Sequence, residues 1–307
     1  MKNKFFKVGI VFIFLLVLLQ AVVGCVASSK KFEPLNVGAG MFTMPEDTGA
    51  NTNNLQVFYY RPANWTPDKP IVVVQHGLKR NAQEYRDGWV KYADQYTLLV
   101  VCPEFSEEKY PGVRYYNTGN VSDTDDDTGN LQPKDKWVFP VINHVFNEVK
   151  IRSGATNNTF TLFGHSAGAQ LVHRYVLLGG QTQAERIISA NAGWYTMPDT
   201  NAKFPYGIKD MSLSKEELTK VFAKPVTILL GEKDNNPNHK ILRHTLQADA
   251  QGFSRFERGN QFFNKAKEKA AELGVPFNWN LITVPGVGHS DVGMAAAAAK
   301  LIAEGAI

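Results

Sequence analysis

The sequence predicts an α/β fold with a mostly parallel central sheet and helices on both faces. Strand-like and helix-like segments alternate along most of the chain, which is typical of a parallel sheet. The segments IVVVQ at residues 71–75 and LLVVC at residues 98–102 are almost wholly apolar, as expected for strands covered on both faces. No repeat or interior linker interrupts the pattern, so we expect one domain over residues 35–307.

Local hydrophobic patterning predicts the order of the elements. Residues 55–61 alternate between apolar and polar, as in an early, partly exposed strand. Further strands are predicted at residues 159–163, 186–190, 226–230 and 280–284. Apolar residues at helical spacing predict helices at residues 137–149, 167–178, 215–222, 260–273 and 292–303. Ligands of such sheets bind beyond the carboxyl ends of the strands, so functional residues should follow strands directly.

The first 24 residues predict a secretory signal peptide that is not part of the fold. Three lysines, at positions 2, 4 and 7, precede an apolar stretch at residues 8–23, which is shorter than the roughly 20 residues that span a bilayer. VVGC at residues 22–25 resembles a bacterial lipobox, which implies cleavage before Cys25 and lipidation of that cysteine. We therefore expect a lipid-anchored protein of the bacterial cell envelope, with residues 25–34 as its tether. An ordinary cleaved signal is the alternative.

The net charge argues against a nucleic-acid partner, and the cysteine content argues against a disulfide. Loss of the three lysines of the signal lowers the formal net charge from +4 to +1, which leaves no case for nucleic-acid binding. If Cys25 carries lipid, Cys102 is the one cysteine left, so the fold is expected to form without a disulfide.

A nucleophile motif lies between a predicted strand and a predicted helix. Residues 164–168 read Gly-His-Ser-Ala-Gly, and in this context the sharp turn lifts the serine hydroxyl out of the sheet while the glycines let neighbouring backbones pass closely. We predict Ser166 as the nucleophile and the Ala167 N–H as an oxyanion donor. The Leu78 N–H is predicted as the second donor, because it lies in the loop after the strand at residues 71–75.

A serine hydroxyl is a poor nucleophile until an imidazole takes its proton. Of seven histidines, His289 in the glycine-rich loop PGVGHS completes the chain order of nucleophile, acid and base. The acid should follow the strand at residues 226–230, where GEKD offers Glu232 and Asp234. We predict Asp234, because it lies farther beyond the strand end, where the loop can turn towards the histidine. Glu232 is predicted to be a solvated loop charge.

With these motifs placed, the chain resembles α/β-hydrolases of the polyhydroxybutyrate depolymerase and feruloyl esterase-like group. The resemblance extends from residue 70 to the C-terminus and rests on QHGLKRNAQEY, GHSAGAQLVHR, ANAGWYTMP, GEKD and PGVGHS. It implies an α/β-hydrolase fold with at most a small lid, and cofactor-independent hydrolysis of carboxylic esters through an acyl-enzyme. Polymer-degrading relatives often carry cysteine where this chain has Leu78. That departure and the expected tether favour a soluble or oligomeric ester as the substrate, with polyester depolymerisation as an alternative.

Several residues are weaker candidates for substrate contacts or for a metal site. The long loop at residues 104–136 and the segment after residue 190, where a small lid is expected, offer four aromatic candidates for the substrate groove: Tyr115, Tyr116, Trp194 and Tyr195. The same long loop holds an acidic cluster without the glycine and distal glutamate of an EF-hand, which predicts a solvated turn and no metal: Asp123, Asp125, Asp126 and Asp127.

Two other functions remain open at this point. The same three residues would also serve a peptide or amide hydrolase. A non-catalytic, ligand-binding lipoprotein of the envelope is the third possibility.

Overall fold

The computed structural model describes residues 33–180 and 182–305, which cluster as one compact unit. Within these residues eight strands form one sheet in the order β1-β2-β4-β3-β5-β6-β7-β8. β2 is antiparallel to β1 and β4, and all other neighbouring strands are parallel. The strands are β1 (Gly38–Met44), β2 (Leu55–Arg61), β3 (Ile71–Gln75), β4 (Leu99–Pro103), β5 (Phe160–His165), β6 (Ala184–Ala190), β7 (Val226–Gly231) and β8 (Trp279–Val284).

Helices cover both faces of the sheet. In the described part of the chain these are α1 (Ala82–Tyr96), α2 (Gly112–Tyr115), α3 (Pro140–Ser153), α4 (Ala167–Leu178), α5 (Lys215–Phe222), α6 (Leu246–Asp249), α7 (Arg255–Leu273) and α8 (Asp291–Glu304). Val73 packs into the larger core with α3, α4, α5 and α7. Its neighbours Val72 and Val74 point the other way, into a second core with α1 and α8. The predicted α/β-hydrolase fold, with central strands buried on both faces, is confirmed.

Two early elements escaped the sequence prediction, β1 and α1. α1 is mostly polar, and its buried stripe is narrow and includes Arg86 together with Tyr85 and Trp89. The Arg86 guanidinium donates hydrogen bonds to the backbone carbonyls of Gly40 and Tyr59, so a charged residue faces the core there. A pattern based on apolar residues alone does not register such a helix.

Two predicted helix starts were wrong for reasons of capping. The helix expected from residue 137 begins at Pro140, which suits the first helical position because it lacks an N–H. α7 begins at Arg255, five residues before the predicted start, because the Ser254 hydroxyl accepts a hydrogen bond from the Glu257 N–H.

A buried carboxylate joins the segment after β1 to α3. Glu46 Oε2 lies 2.8 Å from His144 Nδ1. Burial opposes ionisation of Glu46, but hydrogen bonds from His144 and Thr48 outweigh it and lower the carboxyl pKa. The hydrogen bond to Glu46 raises the pKa of His144. Because the pKa of His144 is raised in the folded protein, the charged imidazole stabilises the fold fully below its ordinary pKa of 6.5. This stabilisation is lost as pH rises through the pKa of the folded state. Because the pKa of Glu46 is lowered, its carboxylate contributes to stability fully above its ordinary pKa of 4.5, and this contribution is lost as pH falls through the pKa of the folded state.

Replacing His144 by glutamine should therefore lower the melting temperature more at about pH 5.5 than at about pH 8.5, because the ion pair needs a protonated imidazole. Thermal melts of both proteins at the two pH values measure the difference. An equal decrease at both values would show that the ion pair contributes nothing beyond a neutral hydrogen bond.

No helix in residues 33–180 or 182–305 is long and apolar enough to cross a membrane. The predicted signal at residues 1–24, Cys25 and most of the tether at residues 25–34 lie outside the described residues. These features stay predictions.

Candidate active site

Ser166 occupies a sharp turn between β5 and α4. Its backbone angles are φ 58° and ψ −114°, a conformation that costs a non-glycine residue on the order of 1–3 kcal/mol. The flanking glycines make the turn possible, because a Cβ at Gly164 would overlap the carbonyl oxygen of Gly168. A Cβ at Gly168 would overlap the carbonyl oxygen of Gln75 at the end of β3. The turn is thus pressed tightly against the neighbouring strand.

Gly168→Ala should lower the stability of the fold markedly, since backbone atoms of β3 must move to admit the methyl group. Forced overpacking of this kind costs about 1–3 kcal/mol or more. Soluble yield and thermal melts would measure the loss. Gly88→Ala in α1 is a matched control, because its Cβ would lie at an ordinary 3.5 Å from Val292. An unchanged melting temperature for Gly168→Ala would contradict the packing described here.

The loops after β5, β7 and β8 bring three predicted residues together. His289 Nε2 lies 3.0 Å from Ser166 Oγ, and His289 Nδ1 lies 2.6 Å from Asp234 Oδ2. Asp234 is 4% exposed and acts as an acceptor towards Nδ1–H. That hydrogen bond selects the tautomer in which Nε2 is free to accept the serine proton.

Asp234 has a second partner, which the sequence did not reveal. Arg255, at the start of α7, donates from Nη1 to Asp234 Oδ1 over 3.2 Å, and its side chain is 2% exposed. Arg255 also donates to His239 Nδ1. The His239 ring lies 5.6 Å from the His289 ring. Nothing in the local pattern around either residue indicated these contacts.

Asn191, directly after β6, joins the loops that carry Asp234 and His289. Its Oδ1 accepts a hydrogen bond from the Gly231 N–H, and its Nδ2 donates to the Gly288 carbonyl. Its φ of 50° lies in the left-handed region, which asparagine tolerates better than most residues. The position of Asn191 after a strand was the available signal in the sequence.

The predicted oxyanion donors border the same site. Leu78 and Ala167 line one cavity together with Ser166. Within the described residues the Leu78 N–H donates no hydrogen bond, so it is available to a ligand. His76, two residues before Leu78, is fully buried. Its Nε2 accepts a hydrogen bond from the Phe105 N–H, and its Nδ1 contacts the Gly77 carbonyl. Burial lowers the pKa of His76 to about 3, so the imidazole stays neutral. Its two hydrogen bonds hold this loop in place.

His165 connects the nucleophile turn to α1. Its Nδ1 lies 2.8 Å from the Tyr85 hydroxyl, and its ring centroid is 4.8 Å from that of His289. Burial, and then the nearby His289, hold the pKa of His165 well below its ordinary value. A neutral ring can pack against His289 without opposing the charge that His289 gains on protonation.

Comparisons with known proteins identify the family. The chain is 40% identical to poly(aspartic acid) hydrolase-1 from Sphingomonas sp. KT-1, over 87% of this chain and 99% of that one, with a TM-score of 0.81. It is 35% identical to LpqC, a poly(3-hydroxybutyrate) depolymerase from Bordetella parapertussis, over 88% and 90% of the two chains, with a TM-score of 0.80. The chain belongs to the α/β-hydrolase serine esterases of the polyhydroxybutyrate depolymerase-like group.

More distant solved structures support the fold but not the function, and two other comparisons found no match. An S-formylglutathione hydrolase from Agrobacterium tumefaciens is 15% identical over 89% of this chain and 97% of its own, with a TM-score of 0.55. No family model and no curated protein matches the sequence. The predicted family is confirmed by the two closer structures, and the predicted enzyme class, a carboxylic ester hydrolase, by the poly(3-hydroxybutyrate) depolymerase.

The cavity beside Ser166 in this hydrolase has a volume of about 170 Å³. Trp194 lines it, as predicted, together with Arg243, which the sequence did not single out. The remaining side of the cavity is formed by Val113, Asn117, Gln170, Gly193, Ile241 and Arg255. A larger cavity of about 560 Å³ lies between α4 and α5 and contains none of the three hydrogen-bonded residues.

The prediction that three tyrosines line the substrate groove was wrong. Tyr116 is fully buried because its ring packs on His76 and its hydroxyl donates to the His76 carbonyl. Tyr195 is fully buried because it stacks on Phe262. Tyr115 packs against the larger core and does not border the cavity. The positions of these residues near the site were right, but their side chains turn into the protein.

The acidic loop is held by hydrogen bonds. Asp123 accepts from Asn130, Asp126 from Thr128 and Asp127 from Gln247. Asp125 differs, because it pairs with Arg243 at the cavity. Asp125 is therefore the member of the cluster that pairs with a residue of the cavity beside Ser166.

Proposed function

We propose that this protein hydrolyses carboxylic esters through an acyl-enzyme, with Ser166 as nucleophile, His289 as base and Asp234 as the orienting acid. The observation that carries the proposal is the unbroken chain of hydrogen bonds from Ser166 Oγ through His289 to Asp234, at 3.0 and 2.6 Å. A serine, a histidine and a buried carboxylate in this order can activate the hydroxyl.

The reaction proceeds in two halves. Ser166 Oγ attacks the ester carbonyl while its proton passes to His289 Nε2, and the carbonyl oxygen becomes an oxyanion that accepts hydrogen bonds from the Leu78 and Ala167 N–H groups. The C–O bond to the alcohol then breaks, and His289 gives its proton to the leaving oxygen. In the second half a water molecule, deprotonated by His289, attacks the acyl-enzyme. The bond between the acyl carbon and Ser166 Oγ then breaks, His289 returns the proton to Ser166 Oγ, and the carboxylic acid is released.

A soluble or oligomeric ester is the proposed substrate. The cavity beside Ser166, at about 170 Å³, suits a small acyl or alcohol group. A lipid anchor on Cys25, proposed from the lipobox-like VVGC, would keep the enzyme in the envelope, where such fragments diffuse to it. Growth of an expressing bacterium with an alkyne-tagged fatty acid tests the anchor: the wild-type chain should take up the tag and Cys25→Ser should not.

Amide hydrolysis on the same residues is the second candidate. It is favoured by the 40% identity to a protein named poly(aspartic acid) hydrolase, whose polymer is linked through amides. Matched ester and amide substrates with the same acyl group decide between the two reactions through their kcat/KM values. The complete hydrogen-bonded set of three residues argues against a purely ligand-binding protein.

A fluorophosphonate probe tests the shared core of both proposals. An activated serine attacks the phosphorus and is modified covalently, so peptide mass mapping should find the label on Ser166. Ser166→Ala should take up none. Failure of the folded wild-type protein to react, or a label on a different serine, would overturn the proposed nucleophile.

A further inference from the structure

Arg174, on α4, carries a buried charge beside the substrate cavity. Its side chain is fully buried, and it donates to the Thr196 hydroxyl and to the backbone carbonyls of Asn117 and Gln170. Among the described residues no carboxylate forms an ion pair with Arg174, and its Nη2 has no hydrogen-bond partner. A buried cation without a counter-ion is costly, so this region of the protein favours an anion nearby.

Arg243 adds a second positive charge on the same aromatic ring. Its guanidinium lies 4.8 Å from the centre of the Trp194 ring, and that of Arg174 lies 4.2 Å from it. Arg243 lines the cavity that contains Ser166. Two guanidinium groups thus lie on the Trp194 ring, and one of them, that of Arg243, borders the cavity that contains Ser166.

The counter-ion of Arg243 is weakly held. Asp125 Oδ2 lies 3.5 Å from Arg243 Nη1, longer than a typical charge-assisted hydrogen bond of about 2.7–2.9 Å. The Asp125 side chain is 46% exposed, and Arg243 Nε has no partner. By contrast, Arg258 binds Asp249 at 2.9 Å. Asp125 can therefore be displaced by a better-placed carboxylate.

Two amide side chains of the cavity also lack partners. Asn117 Oδ1 and Gln170 Oε1 are buried without a hydrogen bond, and their residues are 3% and 6% exposed. Both line the cavity with Arg243. Both atoms are carbonyl oxygens that accept hydrogen bonds, so a ligand that completes this part of the cavity must offer them a donor such as a hydroxyl, and a carboxylate cannot pair with them.

We propose that the cavity beside Ser166 binds a carboxylate of the substrate and that Arg243 is the residue that pairs with it. The substrate class is then an ester with a free carboxylate close to the scissile bond, as in oligoesters of hydroxy dicarboxylic acids. This inference rests on the proposed function, since it concerns the same site. Asp125 is the internal competitor for Arg243, and Arg174 supplies the positive field behind it.

The test compares monoethyl succinate with ethyl pentanoate, an uncharged ester of similar size, by titrating the acid released at constant pH. The wild-type enzyme should show the higher kcat/KM for the charged ester. Arg243→Gln should lower the ratio of the two kcat/KM values about tenfold or more, because a hydrogen bond to a charged group is lost. Arg243→Lys should retain part of the ratio, because it keeps the charge without the planar fork.

Two further variants separate specificity from structure. Asp125→Asn should raise the ratio, because Arg243 loses its competing carboxylate. Arg186→Gln removes one positive charge at a residue that contacts the Ile302 carbonyl and should leave the ratio unchanged. The same comparison with acetoxyacetate and propyl acetate, whose charge difference lies on the alcohol side, locates the carboxylate relative to the bond that breaks.

An equal fall in activity towards charged and neutral esters in Arg243→Gln would show that Arg243 only supports Trp194, and would overturn the proposal. A ratio unaffected in both substrate pairs would do the same. With either result the wild-type enzyme still hydrolyses the neutral esters through Ser166. Failure of the proposed function is therefore distinguishable, because Ser166→Ala would then hydrolyse all four esters at the wild-type rate.

Discussion

Replacing Ser166 by alanine is expected to lower kcat for a short-chain p-nitrophenyl ester by about 10⁶-fold. The change removes the oxygen that lies 3.0 Å from His289 Nε2, so no acyl-enzyme can form. The residual rate comes from the oxyanion donors and from substrate binding, which act without the nucleophile. Release of p-nitrophenol, measured at saturating substrate with active-site-titrated wild-type enzyme as reference, gives the ratio.

The matched control for this variant is Ser153→Ala at the end of α3. Its hydroxyl donates to the Val149 carbonyl, and it does not border the cavity beside Ser166. It should keep wild-type kcat. Ser166→Ala should also keep the wild-type melting temperature, because the turn retains its backbone angles and no hydrogen bond to the core is lost. Turnover by a folded Ser166→Ala enzyme at the wild-type rate would rule out the proposed nucleophile.

Asp234→Asn is expected to lower kcat by about 10⁴-fold with little change in KM. An amide that donates to His289 Nδ1 leaves the hydrogen on Nε2, and the imidazole can then no longer accept the serine proton. The structure predicts a loss of stability as well, because Arg255 is 2% exposed and loses its carboxylate partner. Breaking a buried ion pair from one side costs about 3–5 kcal/mol. Steady-state kinetics and denaturant unfolding measure the two effects separately.

A second substitution separates these effects. Adding Arg255→Gln to Asp234→Asn removes the unpaired charge, so the double variant should recover stability while kcat stays low. Glu232→Gln is the control in the same loop, because the Glu232 side chain is exposed and accepts a hydrogen bond from the Thr283 hydroxyl. It should change neither quantity. Wild-type kcat in Asp234→Asn would mean that another carboxylate orients His289.

The fold class and the three reacting groups could be predicted because each depends on local signals that follow one another along the chain. β3 and α4 have the bounds that their apolar patterns indicated, and Ser166 lies between a strand and a helix as its glycines require. Asp234 and His289 were found from the order of groups and from their places after strands. α1 escaped prediction because polar residues, including Arg86, occupy its buried stripe.

The chemistry of this protein could be inferred from the residues alone: the alternation of strands and helices in an α/β fold, the nucleophile turn, and an acid and a base placed after successive strands. The surroundings of these groups became visible in the folded chain. The tertiary structure turned Tyr116 and Tyr195 into the core, set Arg255 against Asp234, and placed Arg243 beside Ser166. The physical reason is that strand and turn signals act between neighbouring residues, whereas a side chain's partner across a cavity is chosen by packing between segments that are distant in sequence.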